Sequence, residues 1–224
     1  MLITFSGPDG AGKSTQINRL LQRLDDGKGG VIYLWARGGY TPGFEFLKLL
    51  LRIFFGRHLL PSGHSDVRSQ RLANRFLARV WLSVAMVDLI IYWGFFLRFQ
   101  LLLGRTVVCD RYLQDTLLDF RCNFQSIPFE TGLLWGFLKW LVPKPSVSFL
   151  LWVPVAYSMR RSIEKAEPYP DSELLLTWRL QSYMDNSIFP TSIYYKVDCR
   201  KSIDKISELI AEIIFRASVK TPPQ

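Results

Sequence analysis

The sequence predicts an α/β fold, a parallel sheet covered by helices on both faces. Three observations predict it. Five short runs rich in β-branched and aromatic residues (2–5, 31–35, 106–109, 147–153 and 193–197) are mostly apolar on both faces, as strands buried on both sides are. Between them lie longer stretches whose apolar residues recur three and four apart, the helical period. A glycine-rich turn follows the first run and leads straight into the first helical stretch. Strand and helix in repeated alternation build a parallel sheet sandwiched by helices.

The elements follow in order. The first strand, 2–5, opens the chain, and the first helix spans 13–24. After the strand at 31–35 come a turn-rich loop at 38–43 and an almost wholly apolar helix at 44–55, with Lys48 and Arg52 four apart on one side. A long helix spans 69–103. Its segment 80–103 is apolar enough to raise the question of a membrane span, which needs about 20 apolar residues. Asp88 in its middle and Arg98 near its end favour a helix buried in a soluble core, because a charge at mid-bilayer costs about 2.5–3.5 kcal/mol. The strand at 106–109, a helix at 131–141, the strand at 147–153 and helices at 157–165 and 173–186 come next. The strand at 193–197 leads into a final helix at 203–215 behind Ser202 as N-cap. A turn-rich loop at 167–172 resembles the one at 38–43, and both are candidates to face a ligand. The proline-bearing tail at 221–224 is expected to fray.

Composition narrows the classes. With 224 residues and 49% hydrophobic content the chain reads as one domain, 1–224, able to bury a core without a disulfide or metal staple. Its 3 cysteines, Cys109, Cys122 and Cys199, are widely spaced and form no CxxC pair. That argues for a reducing, cytoplasmic setting and against a structural zinc site. The formal charge of +9 attracts polyanions. No RNP, GXXG or zinc-finger signature accompanies it, so nucleic acid is not an expected partner.

The sharpest motif is Gly7-Pro8-Asp9-Gly10-Ala11-Gly12-Lys13-Ser14, which fits G-x-x-x-x-G-K-[ST] at every fixed position. Its glycines let successive backbone N–H groups turn inward onto phosphate oxygens, and the helix starting near Lys13 adds the positive end of its dipole. Lys13 is expected to reach the β- and γ-phosphates of a nucleoside triphosphate, and the Ser14 hydroxyl to bind Mg²⁺. The nucleotide site therefore comprises Gly7, Asp9, Gly10, Ala11, Gly12, Lys13, Ser14 and Thr15, with ATP and Mg²⁺ as cofactors. A second signal, Asp110-Arg111-Tyr112, closes the strand at 106–109. A carboxylate at the carboxyl end of a buried strand sits at the edge where α/β proteins bind ligands. Asp110 can order the metal shell or the attacking oxygen, and Arg111 can neutralise charge on a transferred phosphoryl group. The bland alternative is an Asp–Arg pair that only caps a strand.

Together these residues resemble the thymidylate kinase family of P-loop nucleoside monophosphate kinases. The resemblance rests on FSGPDGAGKST, on Arg37-Gly38-Gly39, on Asp110-Arg111-Tyr112, on the KPSVSFLLWVP strand and on the closing YYKVDCRKSIDKISELIAEII. It implies a three-layer P-loop kinase fold with a five-stranded parallel sheet of order 2-3-1-4-5. It also implies a basic lid segment at about 157–172 and a homodimer joined helix to helix. Carried over by position, Asp9 would contact the acceptor sugar, Arg37 and Arg111 would hold the acceptor phosphate, and Tyr112 would line the acceptor site. Arg160, Arg161 and Lys165 of the lid would supply transition-state charge, since Gly10 stands where some relatives carry a basic residue in the loop. The reaction so implied is phosphoryl transfer from ATP to a nucleoside monophosphate, with dTMP the first candidate. The run Leu113 to Phe120 departs from the residues that read thymine in the family. That departure keeps other acceptors open, a deoxynucleoside or a sugar- or lipid-linked compound at a membrane surface, and also a non-catalytic nucleotide-binding scaffold. The apolar helix at 44–55 is expected to touch a partner subunit or, peripherally, a membrane.

Overall fold

Five parallel strands build one sheet: β1 (Leu2–Ser6), β2 (Val31–Trp35), β3 (Thr106–Asp110), β4 (Val147–Trp152) and β5 (Tyr194–Asp198). Their order is β2-β3-β1-β4-β5, the order the resemblance implies. The computed structural model describes residues 1–25, 30–35, 41, 75–165 and 171–220. Arg37, the helix expected at 44–55, the start of the one expected at 69, most of the loops at 38–43 and 167–172, and the tail at 221–224 lie outside the described residues.

Register decides what stands at the sheet's carboxyl edge. Phe5 pairs with Asp110, and Ser6 with Leu150. Trp35 also pairs with Asp110, across β2 and β3. The loop that leaves β1 therefore begins beside the end of β3, in the middle of the sheet, where α/β folds bind ligands.

Contacts divide the chain into two units. The first holds residues 1–35, 100–115 and 144–224. It contains the sheet, α1 (Lys13–Leu24) and, at the chain's end, the long helix Ile203–Lys220. Ile3, Phe5, Val108, Phe149 and Leu151 of the sheet bury against Ile17 and Leu20 of α1 and against Ile206, Ile210 and Ile214 of the last helix. Phe5 and Phe149 stack with ring centroids 5.1 Å apart. Each such side chain contributes about 1.5–3 kcal/mol through burial. The last helix runs past the expected 215 because its apolar face continues to Ala217, which packs on the same core.

The second unit holds residues 36–99 and 116–143. Its main described element is α2, Arg75–Leu102, whose last residues belong to the first unit. It is α-helical to Leu89, π-helical over Ile90–Leu97, then α-helical again. Inside the π-helical stretch a Cβ at Gly94 would collide with the Leu141 side chain. Leu82, Ala85, Leu89, Trp93 and Leu97 are buried, as expected of a core helix, but Val87, Ile91, Phe95 and Phe99 are exposed. By length and composition the helix is apolar enough to cross a membrane. Asp88 is bound by the Thr41 hydroxyl.

The patterning gave no sign of α3, Leu113–Asn123. This helix buries Asp115, Thr116 and Asp119 along with Leu118 and Phe120, so polar residues on its inner side erase the apolar period. A short 3₁₀ turn, Phe129–Thr131, leads into α4 (Leu133–Leu141). Phe120, Phe129 and Trp135 meet edge to face, at centroid distances of 5.6 and 5.3 Å around Phe129. Helices α5 (Val155–Glu164), α6 (Glu173–Met184) and α7, the Ile203–Lys220 helix, complete the described set.

Candidate functional site

The turn after β1 is built by glycine. Gly7, Gly10 and Gly12 have φ of 138°, 76° and 88°. At Gly7 the requirement is double, because a Cβ there would also run into the Leu151 backbone carbonyl of β4. Gly12 then caps α1 without a side-chain hydrogen bond, so the first-turn N–H groups of the helix receive no cap from it. The side chains of Ser14 and Thr15 stand exposed at this helix start, while Ala11 is buried.

Lys13 folds back along the loop. Its Nζ donates to the carbonyls of Gly7 at 2.9 Å and Pro8 at 2.8 Å, and lies 3.9 Å from an Asp9 carboxylate oxygen. Burial, with Arg111 nearby, lowers its pKa to about 8, against the pull of Asp9, Asp110 and Asp115. The loop thus holds a cation in place whose desolvation only an anion would fully offset.

At the end of β3, Asp110 is buried, and its Oδ2 accepts a hydrogen bond from the Tyr33 hydroxyl at 3.4 Å. Its Oδ1 is buried with no hydrogen-bond partner. Burial pushes the carboxyl pKa up, while Lys13 and Arg111 oppose the rise. An orphaned carboxylate oxygen beside a buried lysine is the kind of donor that a hard cation uses. With the exposed Ser14 hydroxyl at the start of α1, the donor set fits Mg²⁺.

Arg111 is the one non-glycine residue with a left-handed backbone among the described residues, at φ 75°. Such a backbone costs an arginine roughly 1–2 kcal/mol, so its surroundings must enforce it. They do so with charge. The Nη2 atom pairs with Asp9 of the phosphate loop. The Nη1 atom donates to the Tyr183 hydroxyl at 2.7 Å and to Asp115 Oδ1 at 3.4 Å. The Tyr183 hydroxyl in turn donates to Asp115 Oδ1 at 2.8 Å. The other carboxylate oxygen accepts from the Ser6 hydroxyl at 2.6 Å and from the Tyr112 backbone N–H at 3.1 Å. Asp115 is only 1% exposed and Tyr183 fully buried.

Most of the residues expected at the site therefore lie in one unit, with Asp9, Lys13, Asp110, Arg111 and Tyr112 around the carboxyl ends of β1 and β3. Arg37 lies outside the described residues. The two arginines expected in the lid part company. Arg161 donates to the carbonyl of Gly10 at 2.8 Å and to that of Cys199 at 3.1 Å, strapping α5 to the phosphate loop. Arg160 is exposed and pairs with Glu164 one turn on, at 2.7 Å. Ser158 also binds the loop, its hydroxyl donating to the Asp9 carbonyl.

Sequence reading missed Ser6, Asp115, Ser158 and Tyr183. For Asp115 a signal existed, since it stands four residues after Arg111, the spacing of a helical ion pair. Nothing local marks Tyr183, which reaches Arg111 from 72 positions away.

A glycine loop leading from the central strand of a 2-3-1-4-5 parallel sheet into a helix, with lysine, aspartate and arginine gathered beside it, defines a P-loop kinase fold. Within that class the chain is similar to thymidylate kinases along nearly its whole length. It is 27% identical over 218 residues to the thymidylate kinase of Bartonella henselae, covering 94% of this chain and 93% of that one. It is 26% identical over 210 residues to the thymidylate kinase of Bifidobacterium longum subsp. infantis, covering 92% and 82%. The crystal structure of the Ehrlichia chaffeensis thymidylate kinase superposes with a TM-score of 0.57 at 18% identity, over 96% of this chain and 97% of that one. No protein-family model matches the chain. These identities mark a divergent relative.

Proposed function

We propose that the chain is an ATP-dependent kinase that transfers a phosphoryl group to a nucleoside monophosphate, with dTMP the first acceptor to test. The observation that carries the reading is the pairing of Arg111 with Asp9 beside the buried Lys13. The two cationic residues and Asp9 are thereby brought together at the mouth of a glycine loop. Lys13 and the first-turn amides of α1 would bind the triphosphate, and Arg111 would bind the acceptor phosphate once Asp9 turns to the acceptor sugar. Bringing the two phosphates together at a fixed approach is the main work of such an enzyme, because phosphoryl transfer asks little covalent chemistry of the protein. Ser14 and Asp110 would hold Mg²⁺, which supplies charge neutralisation at the phosphate oxygens. Arg161, already on the loop, is the better placed of the two lid arginines to add charge.

The test is ADP release from Mg²⁺–ATP over a panel of nucleoside monophosphates. Release at least tenfold over background with dTMP supports the full reading. Release with another acceptor alone keeps the kinase and replaces dTMP. Background release with all of them, despite ATP binding, favours a nucleotide-binding scaffold.

A second reading changes only the acceptor, to a deoxynucleoside or a sugar- or lipid-linked compound. One feature favours it: the run Leu113 to Phe120 departs from the thymine-reading pattern, and in α3 it buries Thr116 and Asp119. A pocket with different donors rejects the wrong base by leaving polar groups unpaired, each at about 1–3 kcal/mol. Adding deoxynucleosides to the panel separates the two readings. The proposal also includes a homodimer in a reducing, cytoplasmic setting. The exposed Val87, Ile91, Phe95 and Phe99 of α2 and the three free cysteines support it. Sedimentation velocity with and without anionic liposomes distinguishes a dimer from peripheral membrane contact.

A further inference from the structure

The Arg111 network contains two residues for which the phosphoryl-transfer chemistry above has no direct use. Asp115 lies in the first turn of α3 and Tyr183 near the end of α6, both buried. Stability alone is a poor reason for them. A carboxylate this deep loses its hydration, and apolar residues of similar volume generally pack at least as well as a buried ion pair. What such a network supplies is one defined orientation for the arginine it surrounds.

We infer that Asp115 and Tyr183 are positioning residues: they hold the Nη1 edge of Arg111 in the interior, so that its Nη2 edge meets Asp9 and the phosphate that competes with Asp9. The inference rests on the kinase reading for its consequence, though not for its geometry. Three features of the geometry carry it. Two neighbouring groups, the Tyr183 hydroxyl and Asp115 Oδ1, take the same guanidinium nitrogen, at 2.7 and 3.4 Å. The Tyr183 hydroxyl accepts from Arg111 while donating to Asp115, so its single proton has one place to go. Asp115 is itself held by β1 through Ser6 and by the backbone of Tyr112, so the anchor does not swing with the arginine. The left-handed backbone at Arg111 is the cost of aiming one side chain between an interior carboxylate and a loop carboxylate.

Tyr183→Phe keeps the ring and removes only the relay. In this variant kcat falls tenfold or more, the KM for ATP stays within twofold, and the melting midpoint stays within a few degrees. In an Arg111→Lys background, which has no fork to aim, the same change alters kcat less than twofold. An unchanged kcat in the otherwise native chain, or an equal loss in both backgrounds, overturns the inference. A readout without turnover keeps this separate from the proposed reaction. In the ligand-free native chain, nitrogen-detected NMR of the Arg111 guanidinium shows separate, slowly exchanging Nη signals, and these merge in Tyr183→Phe. Asp115→Asn, which keeps the volume and removes the charge, gives the same merging should Tyr183→Phe fold poorly. Signals already merged in the native chain, or still separate in both variants, overturn the inference. A chain inactive on every acceptor but with Nη signals that behave as described overturns the kinase reading alone.

Discussion

The phosphate loop, Gly7 to Thr15, and the strand-end turn, Asp110 to Asp115, both lead from a strand into a helix at the same sheet edge. They reach unusual backbone in opposite ways. The loop uses glycines, which accept positive φ at little cost, and its lysine is satisfied by carbonyls five and six residues away. The turn forces an arginine into the left-handed region and holds it with Asp115 four residues on and, from distant parts of the chain, with the Asp9 carboxylate and the Tyr183 hydroxyl. The local device is set mainly by residue type and spacing, with Ser158 and Arg161 of α5 tied onto it. A long-range device exists only after the sheet, α3 and α6 have assembled, and it fails when any one contributor is lost.

The largest expected effect breaks the long-range device. Arg111→Met leaves Asp115 buried without its cation and destabilises the fold by about 3–5 kcal/mol, read by urea denaturation. Next comes the local one. Lys13→Ala lowers kcat by about 10²–10³ while the urea midpoint moves little, since the loss is of charge at the transferring group. A stability loss as large as that of Arg111→Met would erase the distinction between the two regions. Gly7→Ala follows: positive φ and the Leu151 carbonyl together cost about 2–3 kcal/mol, and ATP binding weakens with the loop's shape.

A pH profile sharpens the comparison further. In the proposed reaction Lys13 binds phosphate in its charged form, and burial has brought its pKa down to about 8. The sign is then fixed: kcat/KM for ATP holds below that pH and falls about tenfold per unit above it, because this parameter reports the free enzyme. Bound triphosphate favours the charged ammonium, so the limb in kcat lies at higher pH. The smallest effects separate the two adjacent arginines of α5. Arg161→Ala removes two bonds to carbonyls and costs about 1.5 kcal/mol in urea denaturation. Arg160→Ala, at the solvent face, leaves the melting midpoint where it was.

Much of the fold was legible in the sequence. All five strands stand out as short runs apolar on both faces, and most of the described helices carry an open apolar period. The glycine loop was legible for the same kind of reason, since its chemistry sits in consecutive residues. Helix α3 was not legible, because Asp115, Thr116 and Asp119 occupy its inner side and cancel the pattern. Helix α2 is a core helix on one face alone. Its exposed aliphatic and aromatic residues share the period of the buried ones, so composition alone could not separate them. Arg160 and Arg161 are adjacent in sequence and equal in charge, yet one binds the phosphate loop and the other a neighbour on its own helix.

By itself the sequence determined the alternation of strand and helix, the phosphate loop and the presence of an Asp-Arg pair at a strand end. These follow from backbone sterics and hydrophobic period, which act over a few residues. Only the tertiary structure decided that Arg111 would be shared between Asp9, Asp115 and Tyr183, that Asp110 would keep a buried oxygen unpartnered, and that Arg161 would strap the loop. Those outcomes depend on which polar groups lose water together, and that is set by the packing of segments far apart in the chain.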